Sequence, residues 1–154
     1  MRASRSGFTL IEMLIVVSLM GLMGMFALPR LRGSTNSMSV RSARQQTAEM
    51  LIVARASAVR SGSDTRFIRS GNVVRVVVDS SGTLVTIAAR NLYADLGVTL
   101  AVGGTAPRDT FRFSPRGQAI GLTGPATLRF TSGSSHDSVC VSKLGKVARA
   151  GCVL

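Results

Sequence analysis

Tryptophan is absent from this chain, and one tyrosine and six phenylalanines are its only aromatics, so a core must come mainly from Val, Leu, Ile and Ala. One histidine, His136, and two cysteines, Cys140 and Cys152, fall short of the larger ligand sets that hold a metal, and none is expected. Acidic residues are also few. The five aspartates, Asp64, Asp79, Asp95, Asp109 and Asp137, are scattered, which argues against a carboxylate pair for acid–base chemistry and against a calcium loop. Gly103-Gly104 lacks the strand-to-helix context of a phosphate loop. No nucleophile has a matching base nearby. The sequence therefore predicts no enzyme and no cofactor.

Basic residues are plentiful: 19 Lys and Arg stand against 7 Asp and Glu, for a net charge of +12. Removing residues 1–7 would take Arg2 and Arg5, leaving 17 against 7, or +10. Such a balance favours polyanions, nucleic acid or anionic headgroups, or is simply a solvated basic surface. It also repels copies of itself, so a neighbour in any assembly should be less basic. The length suits one domain with one modest core.

The strongest local signal is FTLIEMLIVVSLMGLMGMFAL, residues 8–28, which carries a single charge, Glu12. As a helix this run is ~31 Å long, enough for the hydrocarbon core of a bilayer. A short basic leader, MRASRSG, precedes it. A secretory signal peptide has similar parts, but its apolar core is shorter, and here no good small-x-small cleavage site follows. Glu12 is the informative residue, because a charge inside a bilayer costs about 3 kcal/mol on insertion scales. If the chain is cut after Gly7, the free amine of Phe8 lies four residues before Glu12, on the same helix face. The carboxylate can then neutralise its own amine or a neighbour's, and pairing between neighbours sets an axial offset for assembly.

Ser-Gly followed by Phe-Thr-Leu-Ile-Glu-Met-Leu-Ile-Val-Val resembles the signal of type IV prepilins and type II secretion pseudopilins. The resemblance implies that a prepilin peptidase cuts after Gly7 and methylates Phe8, and that Glu12 directs assembly with other pilins or pseudopilins. It also implies a single-pass protein of the bacterial inner membrane with its C-terminal domain in the periplasm or on a filament. The parts are then a leader over residues 1–7, a membrane helix over 8–28, an amphipathic continuation over 29–61 and a β-rich domain over 62–154.

After Pro29, the residues RLRGSTNSMS are poor helix material and predict a loosened stretch. From Val40 a stripe recurs at three- and four-residue steps through Ala43, Thr47, Met50, Leu51, Ala54 and Ala58, and predicts an amphipathic helix over about 39–60. Beyond Gly62 the period becomes two, with strands expected over 65–69, 73–79, 83–89, 98–102, 110–114, 126–131 and 138–142. The fold class is α+β: a long N-terminal helix packed on antiparallel strands. His136-Asp137 reads as exposed loop, and Ser114-Pro115-Arg116-Gly117 as a turn.

The elements Phe111-Arg-Phe-Ser-Pro-Arg-Gly117, Ala126-Thr-Leu-Arg-Phe130, Ser138-Val-Cys-Val-Ser142 and Gly145-Lys-Val-Ala-Arg149 are similar to the GspH/FimT group of minor pilins and pseudopilins. Some proteins of the FimT type bind DNA through a C-terminal Gly-Arg-x-Arg-like element during uptake. The comparable stretch makes Lys143, Lys146 and Arg149 candidate DNA contacts, although it has Lys for the first Arg and one extra residue. The alternative is a solvated basic hairpin. In an exported domain Cys140 and Cys152 suggest a disulfide, and in the cytosol two free thiols. A different alternative for the whole chain is an exported β-domain released by signal peptidase.

Overall fold

The computed structural model describes residues 9–104 and 109–148, with the side chains of all of these except 26–33. A helix, α1 (Leu10–Ser61), opens the chain. It is followed by β1 (Thr65–Ser70), β2 (Val73–Ser80), β3 (Thr83–Asn91), the short helix α2 (Leu92–Leu96) and β4 (Thr99–Gly104). Next come β5 (Thr110–Phe113), β6 (Ala119–Ile120), β7 (Ala126–Ser132), β8 (Ser135–Val141) and β9 (Val147–Ala148). Two compact units share these elements, Met1–Thr35 and Asn36–Leu154.

In the second unit the strands form two antiparallel sheets, ordered β3-β2-β1-β5-β6 and β4-β7-β8-β9. Alternation along the strands sends Phe67, Val74, Val76, Phe111 and Phe113 inward from the first sheet and Leu100, Leu128, Phe130, Val139 and Val141 from the second. Val40, Ala43, Thr47, Leu51, Ala54 and Ala58 of α1 are all buried, at 2% exposure or less. The helical stripe read from the sequence is thus core. Arg41, Arg55 and Arg60, on its other faces, are exposed. Phe67 and Phe111 are directly opposed across β1 and β5, with ring centroids 5.9 Å apart and a tilt of 59°. Such a pair adds about 0.5–1.5 kcal/mol beyond its burial.

Two sequence expectations are corrected. α1 continues through Pro29 and the residues after it, where a loosened stretch was expected. A proline inside a helix costs about 3 kcal/mol, and the part of α1 that packs in the domain begins further on. The Asn36 side-chain amide lies against Gly133, and Val40 is buried one turn later. The second correction concerns His136-Asp137, which belongs to β8 and not to a loop: His136 pairs with Thr131 and Asp137 with Phe130. A Ser-rich segment reads as loop, yet here the turn is only Gly133-Ser134, and the strand starts at Ser135. Asp137 also accepts an ion pair from Arg44 at 3.0 Å, tying β8 to α1.

Candidate functional site

Gly7 and Phe8, the expected processing residues, lie outside the described residues. The Thr9 hydroxyl accepts from the Glu12 N–H at 3.3 Å, while the Thr9 carbonyl accepts from the N–H groups of Glu12 and Met13. Thr9-Leu-Ile-Glu12 therefore has the Thr-x-x-Glu pattern of a helix start, with the Thr9 hydroxyl accepting from the Glu12 N–H. Glu12 sits in the first turn, where the helix dipole favours a negative charge, and it is exposed. Beyond it the large apolar side chains from Leu10 to Met25 are 40–83% exposed. Within this run Ser18 Oγ donates to the Leu14 carbonyl at 2.8 Å, so its hydroxyl is satisfied without leaving the helix. Among the described residues no helix is long and apolar enough to cross a membrane. The run read from the sequence also includes Phe8 and residues 26–28, whose side chains fall outside that set.

The second candidate is the turn between β8 and β9. Gly145 N–H donates to the Ser142 carbonyl at 2.9 Å, Lys146 N–H to the Ser142 hydroxyl at 3.1 Å, and Ser142 N–H to the Lys146 carbonyl at 3.0 Å. These bonds close a tight loop that holds Lys143 and Lys146 exposed. Its backbone rests on the turn between β5 and β6. Ala119 N–H donates to the Lys143 carbonyl at 3.2 Å, and a Cβ on Gly145 would lie 2.3 Å from the Gly117 carbonyl oxygen. Gly145 also has a φ of 74°, so two independent constraints require glycine there. Gly117 in turn lies against the Arg55 guanidinium of α1.

Three chain segments thus meet beside the basic turn. They bring Arg116, in the turn read from the sequence as a simple connection, next to the loop that carries Lys143 and Lys146. No local signal in the sequence announces that contact. Acidic residues are scarce here. Between Ser114 and Ala148 the only one is Asp137, and Arg44 already engages it. Arg149 and Cys152 lie outside the described residues. Cys140 is almost fully buried in β8.

Elsewhere the basic side chains are partly neutralised. Arg69 Nε donates to Asp109 at 2.8 Å and Arg112 to Asp64 at 2.6 Å. The second pair matters because Arg66 and Arg112 stand directly opposite each other across β1 and β5, where like charges repel. Among the described residues no three His, Cys, Asp or Glu side chains group as a metal site would require. The exposed lysines can contact phosphates or carboxylates.

Residues 43–145 match the family model described as type II transport protein GspH, and residues 2–28 match the prokaryotic N-terminal methylation motif. Solved structures with a similar fold include the type IV minor pilin FimU of Pseudomonas aeruginosa, at 16% identity and a TM-score of 0.60 over 73% of this chain and 88% of that one. Another is the minor pseudopilin EpsH from the type II secretion system of Vibrio cholerae, at 14% identity and a TM-score of 0.59 over 74% and 94%.

Proposed function

The chain belongs to the family of type II transport protein GspH, and on that premise we propose that it is a minor pilin or pseudopilin, a structural subunit and not an enzyme. Prepilin peptidase cuts it after Gly7 and methylates Phe8. The helix beginning near Thr9 anchors it in the bacterial inner membrane as a single pass, with the domain in the periplasm. Glu12 then guides it into a type IV pilus or type II pseudopilus among other pilins. The observation that carries this reading is the helix itself. The methylation motif runs into a helix whose described apolar side chains, from Leu10 to Met25, are all exposed, whereas from Val40 onward its apolar stripe is buried. A lipid or a bundle of neighbouring helices would cover the first part.

Intact mass and N-terminal sequencing of the protein from its native membrane test the proposal. The expected chain begins at methylated Phe8. An N-terminus beyond Ala27, or an uncut Met1, would overturn it in favour of a signal-peptidase product or a plain anchored domain. The same mass settles the disulfide: a bridge between Cys140 and Cys152 lowers it by about 2 Da relative to the reduced chain.

A second reading, DNA binding by the filament, is favoured by one arrangement: Lys143 and Lys146 are presented on a clamped turn beside Arg116, with no free carboxylate nearby in the chain. Contacts of this kind are made to phosphates, independent of sequence and weakened by salt. Lys146→Ala with Arg149→Ala should lower DNA binding at low salt and flatten its salt dependence. Unchanged binding would leave the turn as a solvated hairpin.

A further inference from the structure

β3 is an edge strand, with no strand paired to its outer side among the described residues. It ends the five-stranded sheet, it is nine residues long, and all its residues except Ala88 are exposed. Leu84, Val85 and Ile87 are 51%, 45% and 46% exposed. Natural edges of this length are usually blunted by lysine, proline or short length, because a free apolar edge invites pairing. Here the only charged residue on the strand is Arg90, near its end. A bulge between β2 and β3 leaves Ile87 without a partner, since Val76 pairs with Ala88 and Val77 with Thr86. Bulges re-aim side chains. Val85 and Ile87 line a groove of about 260 Å³ whose other wall is the end of α1, at Ser57, Arg60 and Ser61. A second hollow of about 230 Å³ shares Ser57 and Arg60 and extends along α1 to Val53, which is 44% exposed.

The groove lining holds one charge, Arg60, and no acid; Arg60 makes no ion pair among the described residues. We infer that this groove docks a segment of an acidic neighbouring subunit, which lies along the β3 edge with apolar side chains on Val85 and Ile87 and a carboxylate on Arg60. A second copy of this chain is a poor occupant, because each copy brings a large positive charge to the contact. An acidic partner reverses that sign, and partial desolvation in the groove strengthens its pairing with Arg60. The inference rests on the filament reading and specifies the chemistry of one neighbour.

The test uses the full-length chain in its native cells, with a photo-crosslinking amino acid in place of Ile87 and, as a control, in place of exposed Ser134. Processing at Phe8 and recovery in sheared filaments are scored in the same cells. The expected result is an adduct from position 87 to an acidic protein that mass spectrometry identifies in the same filaments, with none from position 134. Arg60→Glu should lower its yield by about tenfold, the effect of one lost and reversed charge contact, while Arg60→Lys retains it. An adduct of twice the chain's own mass, a lipid adduct, or an adduct indifferent to Arg60→Glu overturns the inference. No adduct in cells where the chain is cut and enters filaments overturns the docking surface alone. Failure of both processing and filament entry overturns the reading beneath it, and the docking surface with it.

Discussion

The helix α1 contains two stretches with opposite burial. The large apolar residues from Leu10 to Met25 are all exposed, and over Val40–Ala58 one stripe is sealed in the core. The difference lies in the pattern. Apart from Glu12 and Ser18, the first stretch is apolar around its whole circumference, which suits surroundings that are apolar on every side. The second alternates a stripe of Val, Ala, Leu and Met with Arg41, Gln45, Glu49 and Arg55 on its outer faces, which suits one protein surface and one aqueous surface. One helix can therefore serve two solvents, and substitutions in its two stretches should fail in different ways.

The largest expected effect separates them most sharply. Glu12→Ala should all but abolish recovery in filaments while the chain is still cut at Phe8 and unfolds at an unchanged denaturant midpoint. Loss of processing, or a shifted midpoint, would break the assignment of Glu12 to assembly. Leu51→Ala should do the reverse. Leu51 is fully buried, and truncation there costs about 2–5 kcal/mol, readable by denaturant unfolding of the full chain in detergent. Leu14→Ala, at a position 61% exposed, should stay within about 0.5 kcal/mol in the same assay.

A smaller effect probes the contact that builds the basic turn. Gly145→Ala places a methyl group against the Gly117 carbonyl and forces a positive φ on a residue that disfavours it. The expected cost is about 1–3 kcal/mol. The exposed neighbour Lys146→Ala should change stability by less than about 0.5 kcal/mol. If both variants unfold alike, the two turns do not depend on each other, and Arg116 does not belong with the lysines.

How much of this was legible in the sequence depends on how local each cause is. The stripe from Val40 to Ala58 repeats several times, and Gly71 and Gly82 mark the turns between β1, β2 and β3, so those elements could be read directly. α2 was missed because five residues are too few to show a period. Its only markers are Asn91, whose side chain accepts from the Ala94 N–H at 3.1 Å, and Gly97 at its other end. The continuity of α1 through Pro29 and the start of β8 at Ser135 run against local propensity; β8 is held by its pairing with β7 and by the Arg44–Asp137 ion pair. The candidate site divides the same way. Glu12 was legible because one charge in an apolar run stands out. The meeting of Arg116 with Lys143 and Lys146 was not, because it depends on Gly117 and Gly145 closing on each other from distant parts of the chain.

The smallest effect has the opposite sign and returns to the two stretches of α1, through their hydroxyls. Ser18, in the exposed stretch, bonds back to the Leu14 carbonyl, so its polar group is satisfied wherever the helix lies. Thr47 is fully buried in the other stretch, and its Oγ1 has no hydrogen-bond partner among the described residues. A buried hydroxyl without a partner carries its desolvation cost uncompensated, and valine fills the same volume without it. Thr47→Val should therefore raise stability by about 1 kcal/mol, whereas Ser18→Ala should leave the unfolding of the domain unchanged. The sign is the decisive quantity. A loss of stability in Thr47→Val would mean that the hydroxyl bonds to an internal water and that the core beneath α1 is less dry than its Val, Ala and Phe lining implies.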